Sequence, residues 1–208
     1  MPSQPEDIAQ TTLPRLLSLG GERKIIAVAG PPGSGKSTIS AALCDALTGA
    51  GRSAAVVPMD GFHLDNRLLG PRGLQSRKGS PDSFDADGFV QLIRRIGSGR
   101  DVIYPLFDRD RDIAIAGAGH LPPEVEFVLV EGNYLLLDRA PWSGLSPLWS
   151  FTLKVDTPLD RLKGRLRDRW VEQGLSESDA CARRDANDLP NAELVLSNSR
   201  DADLTISN

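Results

Sequence analysis

Residues Gly30-Pro31-Pro32-Gly33-Ser34-Gly35-Lys36-Ser37 fit the pattern G-x-x-x-x-G-K-[ST] at every fixed position, and few architectures can hold such a loop. Before it runs Lys24-Ile25-Ile26-Ala27-Val28-Ala29, an apolar segment suited to a buried parallel strand; after it Ile39, Leu43 and Leu47 recur at helical spacing. A strand feeding a glycine-rich turn into a helix leaves backbone N–H groups converging on one spot, with the positive end of the helix dipole behind them. That spot attracts a polyanion. Gly30, Pro31, Pro32, Gly33, Ser34, Gly35, Lys36, Ser37 and Thr38 are therefore expected to bind a nucleoside triphosphate. Lys36 should reach the β- and γ-phosphates and the Ser37 hydroxyl should ligate Mg²⁺. A dinucleotide fingerprint fails, because G-x-G-x-x-G needs glycine where Thr38 stands.

At 208 residues the chain suits a single domain spanning 1–208, with room for a small insertion. Its net charge of -4 argues against a nucleic-acid partner, which selects for a basic face. The longest apolar stretches, around 127–130 and 134–137, are too short to span a bilayer, and the N-terminal residues lack the charged-then-apolar plan of a secretion signal. A cytoplasmic protein with no membrane partner is expected. Cys44 and Cys181 then read as two free thiols, and His63 and His120 are too isolated for a zinc site.

Residues 1–12 read as a loose polar tail and 13–19 as a short helix stopped by Gly20-Gly21. Residues 54–58 read as a second strand, which delivers Asp60 to the carboxyl edge where open α/β sheets bind ligands. The stretch 65–83, rich in Gly, Pro, Arg and Ser, is expected to be a substrate-side loop within about 61–84. Asp85-Ala86-Asp87 should cap a helix bearing Phe89, Leu92, Ile93 and Ile96. A short strand over 101–106 leads into 107–112, alternating charge at a strand end, with Asp110–Asp112 read as a solvated polar loop. The clearest central strand, 126–130, delivers Glu131 to the same edge, where an acid can orient Mg²⁺ or a substrate group. A strand over 150–155 and a helix over 159–173 follow. Arg161, Arg165 and Arg169 share one face of that helix, a plan that suits a lid closing on ATP. A second lid helix over 176–188, with Pro190 ending an excursion of about 159–189, and a last strand over 203–207 complete the chain. Alternating strands and helices predict an α/β fold: a P-loop NTPase three-layer sandwich with a mostly parallel sheet, helices on both faces and a helical lid.

With these residues placed, the chain resembles the phosphoribulokinase, uridine kinase and pantothenate kinase family of P-loop kinases. The likeness rests on GPPGSGKST at 30–38, MDGFH at 59–63, RKGSPDSFD at 77–85, YPLFDR at 104–109 and VEGNYLL at 130–136. The combination is similar to a bacterial subgroup known as sugar or fructose-uptake kinases. It departs from uridine kinases at 79–80, where Gly-Ser stands for their Asp-His. The resemblance implies an Mg-ATP-dependent kinase with Asp60 as catalytic aspartate, Glu131 as the acid of the metal or substrate side, and Arg165 as lid arginine with Lys36 in the catalytic set. Arg169 joins Arg165 on the nucleotide side. His63, Lys78, Tyr104, Asp108 and Arg109 fall on its substrate-side segments, with Asp60 and Glu131 beside them; Ser37 and Glu131 are the metal candidates. Without an N-K-x-D motif, ATP is favoured over GTP, and Ser197 and Asn198 are candidates beside the base.

The expected activity is phosphorylation of a hydroxyl on a small metabolite, a sugar such as fructose. Pantothenate-like and nucleoside acceptors are the alternatives within that class; a non-kinase ATP-dependent switch acting through a protein partner is the alternative outside it. A homodimer is compatible with the sequence, which does not specify the assembly.

Overall fold

The computed structural model describes residues 4–208. Five parallel strands form the central sheet: β1 (Lys24–Ala29), β2 (Ala54–Pro58), β5 (Phe127–Gly132), β6 (Phe151–Asp156) and β7 (Leu204–Ser207), in the order β2-β5-β1-β6-β7. Every residue of β1 and β5 is buried, as continuous apolar strands with helices on both faces must be. Ile26, Val28, Leu129 and Leu153 pack on one face against α1 (Pro5–Leu17) and α2 (Lys36–Gly49), through Leu16, Ile39, Leu43 and Leu47. Ile25, Ala27, Val128 and Val130 pack on the other face with Phe89 and Ile93 of α4 (Ala86–Gly97), and with Tyr134 and Trp142. The result is three layers, as expected.

Asp85 caps α4, its Oδ1 accepting from the Gly88 N–H at 3.0 Å. The segment 65–83, expected to be a substrate-side loop, holds the one-turn helix α3 (Asn66–Leu69) and two 3₁₀ turns at Gln75–Arg77 and Pro81–Ser83. The segment expected to be a lid, about 159–189, holds α5 (Leu159–Glu172), α6 (Glu177–Arg183) and a π-turn at Arg184–Asp188, and runs on into α7 (Leu189–Asn198). It has its own small core of Leu162, Leu166, Leu189 and Ala192.

Two sequence expectations are corrected and one element is added. The loose tail over 1–12 gives way to α1, which starts at Pro5 and buries Ile8, Ala9, Thr12 and Leu16 against α2; proline at a first helical position pre-sets the backbone rather than breaking it. Residues 1–3 of that expected tail lie outside the described residues. Pro190 likewise sits in the first turn of α7 and starts a helix where it was read as ending one. The exposed turn at 109–112 stands as expected, but it joins two strands of an antiparallel hairpin outside the main sheet, β3 (Val102–Asp108) paired with β4 (Ile113–Leu121), of which the second was not foreseen. Its register shifts between Tyr104 and Leu106, at Pro105, where a residue without an N–H is tolerated only at a bulge or edge. The Asp60 turn packs directly on this bulge. A Cβ on Gly61 would collide with the Pro105 carbonyl, so only glycine permits the approach.

Candidate active site

The phosphate loop joins β1 to α2 with Gly33 and Gly35 at φ +79° and +85°, conformations that side chains rarely adopt. Gly35 caps α2, so Lys36 opens the helix and lines the adjacent cleft. Ser37 Oγ donates to Glu131 Oε2 at 3.0 Å. Glu131 is buried and lies in register with Val28 of β1 and Pro58 of β2, so the sheet's own pairing sets the acid between the phosphate loop and the Asp60 turn. A hydroxyl and a carboxylate oxygen held together are hard donors of the kind Mg²⁺ prefers.

Beside the loop opens a cleft of about 420 Å³. Asp60 lines it from the 3₁₀ turn Met59–Phe62 that follows β2, and its Oδ2 accepts from Arg109 Nη2 at 2.7 Å. His63 lines the cleft one step further on. Its Nδ1 is 2.8 Å from the Asp60 carbonyl, and its ring lies between Phe84 and Phe107, at centroid distances of 4.0 and 4.6 Å. Burial lowers its pKa, against the opposing pull of Asp60. The neutral ring therefore keeps its proton on Nδ1, which donates to that carbonyl and leaves Nε2 as an acceptor. Lys78 Nζ pairs with Asp112 Oδ2 at 2.8 Å and donates to Asn66 Oδ1 at 3.2 Å. Burial acts to raise the Asp112 carboxyl, but hydrogen bonds from Lys78 and Asn66 outweigh it and hold that carboxyl below its ordinary range.

Other expected substrate residues lie elsewhere. Tyr104 is not among the cleft residues: it is buried in the core that holds Phe89 and Trp142, with its ring against Gly119, and burial raises its pKa. Asp108 holds the hairpin tip, accepting from Arg111 N at 2.9 Å and Arg111 Nε at 2.8 Å. Ser197 and Asn198 are exposed at the end of α7 and are not cleft residues either.

The three arginines of α5 part company. Arg161 is exposed; Arg165 Nη1 donates to the Gly33 carbonyl at 3.3 Å; Arg169 lines the cleft and donates to Asp188 Oδ1 at 3.2 Å. Asp188 also accepts from Trp170 Nε1. The cleft residues Asp112, Asn133, Trp170, Arg183, Asp188 and Asn191 were not singled out in the sequence. A signal for part of this set was there: Asp188 and Asn191 stand three apart, on one face of a helix, and both prove buried polar residues. Asn208 was missed as well. Its Nδ2 donates to the Ser34 carbonyl at 2.7 Å while its own N–H bonds Asp156 at 2.9 Å, so β7 ends as a clasp on the phosphate loop.

A family model described as "Methylmalonyl Co-A mutase-associated GTPase MeaB" matches residues 2–63, the part that holds the phosphate loop common to GTPases and kinases. The Escherichia coli (strain K12) "Uncharacterized protein YggC" is 34% identical over 187 residues, 88% of this chain and 77% of its own. The Schizosaccharomyces pombe "Putative uridine kinase C227.14" is 32% identical over 195 residues, 89% of this chain and 83% of its own. Pantothenate kinases of Streptococcus pneumoniae are 29% identical over 159 residues, and this chain spans about half of their length, 52%. Among solved structures, a "putative fructose transport system kinase" from Silicibacter sp. TM1040 superposes with a TM-score of 0.91 at 47% identity, covering 98% of both chains.

Proposed function

The chain belongs to the phosphoribulokinase, uridine kinase and pantothenate kinase family of P-loop kinases, and from that membership we propose that it transfers the γ-phosphoryl group of Mg-ATP to a hydroxyl of a small metabolite, a sugar or sugar derivative for which fructose compounds are the first candidates. The observation that carries this reading is the joint presence of Lys36 and Asp60 on one cleft: a phosphate-binding cation and a sheet-edge carboxylate face the same small volume. A switch that only hydrolyses ATP has no need of the second group. The sugar part is supported by the name of the Silicibacter protein at 47% identity.

Ser37 and Glu131 would hold Mg²⁺, which when bound neutralises phosphate charge and fixes the phosphate geometry. Asp60 accepts the proton of the attacking hydroxyl and aims its oxygen at phosphorus. To do so it exchanges its ion pair with Arg109 for the substrate. His63 offers Nε2 to a second hydroxyl. Lys36, at the end of the phosphate loop, and Arg165, bonded to its Gly33 carbonyl, stabilise the charge that develops on the transferring group.

ADP release from Mg-ATP, measured across sugars, sugar derivatives, nucleosides and pantothenate, tests the reading. Asp60→Asn should lower kcat roughly 100- to 10,000-fold on whichever acceptor is used. An acceptor turned over equally well by the Asn variant would remove Asp60 as the base. A panel that releases no ADP, together with a protein partner that binds only with ATP, would favour the switch.

A further inference from the structure

The acceptor half of the cleft carries an unbalanced charge. Each of its three carboxylates already has a cation: Asp60 takes Arg109 at 2.7 Å, Asp112 takes Lys78 at 2.8 Å and Asp188 takes Arg169 at 3.2 Å. Two cleft cations remain, Lys36, which serves the phosphate loop, and Arg183. Arg183 enters no ion pair or side-chain hydrogen bond among the described residues. Its guanidinium lies over the Trp170 ring at 4.0 Å, while Arg169 approaches the same ring at 4.8 Å. Two guanidiniums thus approach one indole, and the single carboxylate at the cluster, Asp188, bonds Arg169 and the Trp170 N–H; burial first, then the charges of Arg109 and Arg183, lower the Arg169 pKa against the opposing pull of Asp188. Arg169 Nε is buried without a hydrogen-bond partner. A buried N–H donor without a partner beside an unneutralised guanidinium is a cost that an anion removes.

This cluster belongs to the acceptor side by its attachments. Asn187 Nδ2 donates to the Lys78 carbonyl at 2.8 Å, and Arg77 donates to the Ala186 carbonyl at 2.7 Å, tying the turn that carries Asp188 to the substrate loop. Arg165, by contrast, sits on the phosphate loop. Asn133 lines the same cleft, and its buried Oδ1 lacks a donor, a vacancy suited to a hydroxyl.

We infer that the acceptor is an anionic polyol, a sugar acid or a sugar phosphate, whose carboxylate or phosphate is held by Arg183 and Arg169. This rests on the kinase reading above and narrows its sugar to one bearing an acidic group. Stacking on Trp170 pre-orders the Arg183 fork, which costs less entropy on binding than a free side chain.

Calorimetric binding at saturating Mg²⁺ and a non-hydrolysable ATP analogue tests it with fructose, gluconate and fructose 1-phosphate as probes. At least one anionic probe should bind roughly tenfold or more tightly than fructose. Arg183→Leu should abolish that preference and leave the affinity for the ATP analogue unchanged, and Arg183→Lys should restore part of it; thermal melting of each variant checks that it is folded. Gluconate against fructose 1-phosphate tells a carboxylate from a phosphate. The inference fails if neither anionic probe outbinds fructose, or if Arg183→Leu weakens the ATP analogue instead of the probe. Preferential binding of an anionic probe, together with no ADP release from Mg-ATP on any acceptor of the panel, would sink the kinase reading and leave the anion site standing.

Discussion

His63 shows how a single side chain can be committed to one protonation state by its surroundings. Packed between two phenylalanine rings, it resists protonation in the folded chain, where its pKa lies below the ordinary 6.5. The unfolded chain therefore binds the proton first as pH falls. Stability attributable to this site is complete above about pH 6.5 and declines as pH drops from there toward the folded value, by at most about 1.4 kcal/mol per pH unit. Urea unfolding at about pH 7.5 and about pH 5.5 should show a smaller loss for His63→Gln than for the native protein; an identical loss in both would mean another group titrates. Gly61 is constrained by contact rather than charge. Gly61→Ala forces a Cβ against the Pro105 carbonyl, and because backbone cannot swing aside it should cost about 3 kcal/mol, read as a lowered urea midpoint. Both residues stand in MDGFH, and the motif was legible because its parts are adjacent in sequence. The reason for the glycine was not, since it lies 44 residues away at a bulge.

Elements were legible where a local period and a local stop agreed, as in β1, β5 and α4. They were misread where punctuation had two meanings. Pro5 and Pro190 look like breakers in a string of letters and act as first-turn residues in the chain. The hairpin was hidden because β4 is IAIAGAGHL, half alanine and glycine, with little of the β-branched and aromatic weight that marks a strand. The Arg77 contacts are also an element-scale matter. Its two hydrogen bonds, to Ala186 O at 2.7 Å and Asn191 Oδ1 at 3.2 Å, fasten the substrate loop to the start of α7. Arg77→Ala should weaken that fastening by about 1.5 kcal/mol, giving roughly tenfold faster amide hydrogen exchange across residues 184–191. Unchanged exchange there would show that the lid holds its place without the loop.

Across the whole molecule, an acidic chain of net charge -4 keeps an excess of positive charge in its cleft. Composition could not reveal this, because it depends on which cations are already paired. The same limit applies to the arginines of α5: spacing put them on one face, and only tertiary partners divided them between the phosphate loop and Asp188. Cys44 and Cys181 are both free thiols, and burial raises the Cys44 pKa. Thermal midpoints measured with and without reductant should therefore coincide; a drop on reduction would reveal a cross-link between chains.

The hairpin of β3 and β4 shares no strand with the main sheet, yet it supplies Arg109 and Asp112 to the cleft. On the function proposed above, nucleotide handling and part of the acceptor choice would be carried by parts with separate hydrogen-bond ladders, joined at the Asp60 turn. A chimera taking its residues 102–121 from a kinase with another acceptor should retain its affinity for ATP while its acceptor preference shifts, measured by binding of each. An evolving lineage could then trade one acceptor for another by exchanging a cassette, with the phosphate-handling half inherited intact.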